Sequence, residues 1–170
     1  YDRAIKTIAL STPHLLVSPP MIRFGTAGWR GVLSDEFTFL NVRKVAHTLS
    51  GSIKENPEYG VHSPEYRAVL GPVKTSPVPL VIVGYDTRFL SEEFAHEVAS
   101  VFASDGIKTL LAKSDLPTPA VGCAIIAHKA IGGVMITASH NGANYNGLKW
   151  MPYWGGAATP SVPDDIERRV

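Results

Sequence analysis

Short apolar runs alternating with helix-period segments constrain the fold of this chain more than any other feature of it. Leu80 to Val83 is a buried-strand run closed by Gly84. Ile107 to Ala112 and Gly133 to Thr137 are similar runs, each introduced by a nearby glycine. Leu148 to Met151 reads as a fourth strand or an extended edge, and a shorter extended piece falls around Ile22 to Phe24. Between these runs, Phe39, Val42, Ala46, Leu49 and Ile53 recur at steps of three and four, one face of a helix of about four turns. Ser91 followed by Glu92 and Glu93 predicts an N-cap with acids in the first turn, where the helix dipole favours them. Phe94, Val98, Val101 and Phe102 form its apolar stripe, and Gly106 ends it. Thr118-Pro119 opens a further helix that runs to about His128 or Lys129. Strands separated by helices predict a three-layer α/β/α domain. Its sheet is mostly parallel or mixed, of about four strands, with helices on both faces.

A length of 170 residues fits one domain with room for an appendage. Residues 1–20 read as an N-terminal extension, native or added, because Met21 stands just before the first well-patterned segment. Residues 55–79, with five prolines, two glycines and no sustained period, read as a long loop inside the domain at 21–170. Ser161-Val-Pro-Asp-Asp-Ile-Glu starts another helix by the capping rules, and the chain stops at Val170. That pattern is expected of a piece of a longer protein.

Composition narrows the function. Sixteen basic residues against fifteen acidic ones leave a net charge of +1, without the concentrated positive patch that nucleic-acid binding uses. No apolar stretch reaches the length needed to span a bilayer, so no membrane partner is expected. The single cysteine, Cys123, excludes an internal disulfide framework and a cysteine-based zinc site, which makes a cytoplasmic location the default. His14, His47, His62, His96 and His128 lack metal-ligand spacing.

Three segments carry chemistry. In Gly25-Thr-Ala-Gly-Trp-Arg-Gly31, three glycines around Thr26 and Arg30 offer amide donors and a guanidinium to a phosphate. Taken alone, the segment also reads as a tight turn before a helix with Arg30 in solvent. Thr137-Ala-Ser-His-Asn-Gly142 directly follows a strand, where α/β proteins place their chemistry. Ser139 is a candidate nucleophile there, with His140 and Asn141 as neighbouring donors or acceptors; the bland alternative is a polar turn. Tyr145-Asn-Gly-Leu-Lys149 contains Asn146-Gly147, a strong hairpin signal, and such a turn would fold Lys149 back beside Ser139. Two smaller features stay open. Gly84-Tyr-Asp-Thr-Arg88 is either a phosphate-facing loop or a local Asp86–Arg88 pair, and Trp150, Tyr153 and Trp154 either stack on a sugar or pack against protein.

From about Met21 onward the chain resembles the N-terminal domain of the α-D-phosphohexomutases, the phosphoglucomutase/phosphomannomutase family. The resemblance rests on Phe24-Gly-Thr-Ala-Gly-Trp-Arg-Gly31, Gly84-Tyr-Asp-Thr-Arg88 with Ser91-Glu-Glu-Phe94, and Pro117-Thr-Pro-Ala120. Gly133-Val-Met-Ile-Thr-Ala-Ser-His-Asn141 and Tyr145-Asn-Gly-Leu-Lys149 complete it in the same order. It implies that Ser139 carries a phosphoryl group, gives it to the free hydroxyl of a hexose 1- or 6-phosphate, and recovers the other phosphoryl from the bound bisphosphate. It also implies Mg²⁺ bridged by the phosphate on Ser139, and hexose 1,6-bisphosphate as activating donor. By the same resemblance Lys149 and His140 are acid–base candidates, Arg30 supports charge near the serine, and Gly25, Thr26 and Asn141 form the phosphate loop.

Two departures accompany the likeness. Gly142 stands where the family usually has proline, which predicts a less pre-organised serine loop and weaker or altered catalysis. No Asp-Gly-Asp-Gly-Asp type run is present, so the metal loop and the sugar-recognition loop would come from remaining domains of the same polypeptide. The isolated chain is therefore expected to be inactive. Phosphoglucosamine mutase, or a degenerate sugar-phosphate binding module, are the alternatives.

Overall fold

The computed structural model describes residues 22–25, 28–55, 79–158 and 161–170. The expectations for residues 1–20 and for the loop between Glu55 and Pro79 lie outside the described residues. The elements run β1 (Phe24–Gly25), β2 (Gly28–Val32), α1 (Phe39–Glu55), β3 (Leu80–Tyr85) and α2 (Ser91–Ser104). There follow β4 (Lys108–Leu111), α3 (Thr118–Ala127), β5 (Gly132–Ile136), β6 (Tyr145–Pro152) and α4 (Ser161–Arg169).

The described strands form one six-stranded mixed sheet in the order β1-β2-β6-β5-β3-β4. β3 pairs in parallel with both β4 and β5, whereas β6 runs antiparallel to β5 and to β2. The expected α/β/α class is present, with six strands instead of about four. The additional pairing comes from the glycine-rich segment, which forms the β1–β2 hairpin with Phe24 opposite Trp29. That hairpin replaces the expected tight turn before a helix.

Alternation along the strands builds two cores. Val81, Val83, Tyr85, Val134, Ile136, Leu148 and Trp150 face the core shared with α1, α2 and α4. Ile82, Met135 and Met151 face the opposite core, under Val121 and Ile125 of α3. Phe94 and Phe102 of α2 are completely covered, each worth about 1.5–3 kcal/mol by removal from water. An aromatic chain links β2 to this layer: Trp29 and Phe37 lie 4.6 Å apart between ring centres, and Phe37 and Phe94 4.7 Å. Trp29 is thereby pinned into one core, so its neighbour Arg30 projects from the other face of the sheet. Trp150 packs in the core, and Tyr153 meets Trp154 edge-on.

Several local expectations are corrected. β3 continues through Gly84, which does not close it. A Cβ there would lie 2.5 Å from a methyl of Val121, so the glycine lets α3 lie against the strand. Ser91 does not cap α2. It is the first helical residue, it follows Leu90 in a left-handed conformation (φ 62°), and its hydroxyl donates to Asp86. Thr118 likewise sits inside α3, which is preceded by Pro117 and has no side-chain cap. α3 ends at Ala127 with His128 as its C-cap. Most consequentially, Asn146-Gly147 is no turn: both residues lie within β6, a strand interior to the sheet and not an edge. The chain reverses instead through residues 137–144. The other expected helices hold, with Val42, Ala46, Leu49 and Ile53 buried along α1 and Gly106 (φ 80°) just beyond α2. Among the described residues, no helix is long and apolar enough to cross a membrane.

Candidate active site

The connections of β3 place the site. From β3 the chain passes through α2 to β4 on one side, then through α3 to β5 on the other. The order thus reverses at β3, and the crevice between the carboxyl ends of β3 and β5 is where open α/β sheets bind ligands. Two loops meet there, residues 86–90 after β3 and residues 137–144 after β5.

Ala138 is buried and anchors the second loop, while Ser139 and His140 stand exposed at its tip. Ser139 adopts a left-handed backbone (φ 54°), a conformation uncommon for a residue with a side chain. Its amide donates to the Thr137 hydroxyl at 3.0 Å, and the Asn141 amide donates to the Ala138 carbonyl at 3.1 Å. The Ser139 hydroxyl itself has no partner among the described residues, so it is available to react.

Arg30 comes to this loop from β2. Its Nη1 donates to the Asn141 side-chain oxygen at 2.8 Å, so the guanidinium is half-buried and engaged, not solvated. Gly147, opposite Arg30 in the register, makes that path possible. A Cβ at Gly147 would meet the Thr137 and Trp29 carbonyl oxygens at 2.6 and 2.7 Å and the Arg30 Cγ at 3.0 Å. Lys149 lies on β6 opposite Met135, half-buried, on the sheet face that also carries Arg30. It reaches that face as part of a strand, not by a hairpin folding it back. Gly25 is exposed at the end of β1 opposite Gly28, and Thr26 lies outside the described residues. The structure therefore joins Arg30, Asn141 and Ser139 in one loop system, with Lys149 on the adjoining face and His140 at the exposed tip.

One residue of this system escaped the sequence reading. Arg88 was legible as half of a pair with Asp86, and that pair exists, with Nε 3.5 Å from a carboxylate oxygen. The guanidinium also crosses the crevice to the serine loop. Nη2 donates to the carbonyls of Ser139 (2.8 Å) and Asn141 (2.7 Å), and Nη1 to those of Gly142 (2.8 Å) and Tyr145 (3.1 Å). Asp86 in turn accepts from the Ser91 hydroxyl at 2.8 Å, and Ser91 accepts from the wholly buried Asn146 at 3.0 Å. The signal available was the Gly84–Arg88 motif, which specified a pair but not its distant acceptors.

No group of three or more His, Cys, Asp or Glu that could hold a metal ion occurs among the described residues.

Comparison with known proteins agrees with this architecture. Residues 67–170 match the family model "Phosphoglucomutase/phosphomannomutase, alpha/beta/alpha domain I". The chain is 31% identical to a phosphoglucomutase of Staphylococcus saprophyticus, over 88% of this chain and 24% of that protein. It is 36% identical to a Pyrococcus furiosus protein named as a phosphoglucosamine mutase, over 86% of this chain and 27% of that protein. A crystal structure of a Thermus thermophilus protein named as a phosphomannomutase superposes with a TM-score of 0.74 at 35% identity, covering 88% of this chain and 30% of that one. The chain thus spans about a quarter of the length of the curated relatives it matches. By its matched domain, its relatives and its fold, the chain belongs to the phosphoglucomutase/phosphomannomutase family.

Proposed function

We propose that this chain is the serine-bearing domain of a phosphohexomutase that interconverts hexose 1-phosphate and hexose 6-phosphate. The observation that carries the reading is Ser139: exposed, left-handed in its backbone, with no hydroxyl partner among the described residues, and held by a loop tied to Arg30. Phosphorylated Ser139 gives its phosphoryl group to the free hydroxyl of the substrate. The Oγ–P bond breaks, a new O–P bond forms, and the hydroxyl proton leaves to a base as the serine oxygen is reprotonated. The resulting bisphosphate then returns its other phosphoryl group to Ser139, with the proton traffic reversed. Lys149 and His140 are the candidates for this acid–base work, and Arg30 steadies negative charge beside the loop. By the family resemblance, Gly25, Thr26 and Asn141 are assigned to the phosphate loop. Hexose 1,6-bisphosphate is the donor that primes the serine.

Mg²⁺ belongs to the proposal through one ligand only, an oxygen of the phosphate on Ser139; it would neutralise charge during transfer. This chain's described residues do not make a cage for it. The rest of the metal site, the sugar site and turnover itself would come from further domains, and the 170-residue chain alone would be inactive. The relatives are named for glucose, glucosamine and mannose phosphates, so the sugar is a matter for those domains.

The test is to incubate the full-length protein with Mg²⁺ and glucose 1,6-bisphosphate and to map covalent phosphate by peptide mass spectrometry. Phosphate on Ser139 that is lost on adding glucose, mannose or glucosamine monophosphate supports the mutase reading. Ser139→Ala should take up no phosphate while keeping its fold, because the hydroxyl bonds to none of the described residues. An unmodified serine in folded protein would leave the second reading, a sugar-phosphate binding module. Gly142, in place of the usual proline, is the observation that favours that alternative.

A further inference from the structure

A guanidinium has five N–H donors and no acceptor. In Arg88 four of the five are given to backbone carbonyls, those of Ser139, Asn141 and Gly142 in the loop and of Tyr145 at the start of β6, and the fifth, on Nε, faces Asp86. This count decides between the two roles its motif left open. An arginine with every donor committed to protein has none left for a substrate phosphate, so Arg88 does not read the ligand. What it does touch is backbone, at the left-handed Ser139 itself and along the chain that follows it.

From this we infer that Arg88 is a positioning residue for phosphoryl transfer, setting the backbone of Ser139 and through it the direction of the hydroxyl. The inference rests on the mutase reading of Ser139. The guanidinium is planar and rigid, so four carbonyls bound to it take up a fixed mutual arrangement. Asp86 fixes its orientation. One carboxylate oxygen accepts from the Arg88 amide at 3.0 Å and from the Ser91 hydroxyl at 2.8 Å, while the other faces Nε. Ser91 is tied to Asn146 at the start of β6, so the clamp is braced from α2 and from the sheet. It also answers the departure at position 142. The Gly142 carbonyl is one of the four acceptors, so the rigidity that a proline would build into the chain is supplied here across the crevice.

Lysine keeps the charge but places its three donors on one nitrogen, which cannot span four carbonyls. The experiment is therefore Arg88→Lys in the full-length protein, with Asp86→Asn as the milder partner that leaves the four carbonyl bonds available. For Arg88→Lys we expect kcat to fall about 10- to 100-fold, since displacement of a reacting group by about 1 Å costs that order. KM for the hexose phosphate should stay within about threefold, because no donor of Arg88 is offered to substrate. Asp86→Asn should lose less, and methylguanidinium should restore part of the serine phosphorylation rate in Arg88→Ala. Amide hydrogen exchange across residues 139–145 should quicken in Arg88→Lys while exchange in α1 stays unchanged. Unaltered kcat and loop exchange in Arg88→Lys would overturn the inference, as would a rise in KM with kcat preserved. If wild-type Ser139 never takes up phosphate, the mutase reading fails by itself, and the exchange measurement still decides whether Arg88 holds the loop.

Discussion

Close approach of backbone to side chain is the limiting constraint at Gly147. A methyl group there would press on the Thr137 and Trp29 carbonyls and on the Arg30 side chain. Gly147→Ala should cost about 1–3 kcal/mol of stability, read from the urea midpoint, and should weaken serine phosphorylation by displacing Arg30 from Asn141. Gly142 is the opposite case. Its backbone is not left-handed and its amide donates no hydrogen bond among the described residues. Gly142→Pro should therefore raise stability by about 0.5–1 kcal/mol in the same measurement, by narrowing the unfolded ensemble. Side-chain identity is what a sequence displays, and to that extent Ser139, Arg30 and Asn141 could be named from their motifs; that Arg30 bonds Asn141 is what the fold adds. The part played by Arg88 was not legible, because its acceptors are carbonyl oxygens. Every residue has one, so nothing in the sequence marks the four that were used.

At the scale of elements, strong periodicity was a good guide and turn chemistry a poor one. α1 is covered along the predicted stripe from Val42 to Ile53, while Phe39 at its start stays exposed, because a helix needs only one apolar face and a neighbour to cover it. Asn146-Gly147 misled because the pair favours a turn only when Asn146 has no better partners. Here the Asn146 amide reaches the Ser91 hydroxyl and the Phe89 carbonyl in a fully buried position, and tertiary contacts override the local preference. α4 was predicted from its opening residues, yet what secures it is distant. Val162 and Ile166 are buried, Asp165 accepts from the Ser52 hydroxyl at 3.1 Å, and Arg169 bridges Asp165 and Glu55. Burial alone would raise the Asp165 pKa. Hydrogen bonds from Arg169 and Ser52, with the charges of Arg169 and Arg168, outweigh it and hold the carboxyl below its ordinary value. A carboxyl whose folded pKa is depressed adds stability above its unfolded pKa, and that contribution fades as pH falls through the folded value. Wild type should accordingly be more stable than Asp165→Asn above about pH 4, with the gap closing below it, in thermal melts taken from about pH 7 to about pH 2.

The whole sheet was only partly foreseeable, for a reason that lies in its pairing. Parallel neighbours joined by helices can be read in chain order, and β3, β4 and β5 follow that logic. The insertion of β6 between β5 and β2 joins segments more than a hundred residues apart in the chain, such as Arg30 and Gly147, and no local pattern encodes it. A separation about half as long divides the two halves of the serine loop's support. Each bond from the Arg88 guanidinium to a backbone carbonyl spans 51 to 57 residues, so none of these forms until β3 has found β5. Long-range pairings of this kind are late events, because the intervening chain must first be closed into a loop. A nascent chain therefore exposes Ser139 well before it shapes it, and under the proposed function competence to accept phosphate arrives late in folding.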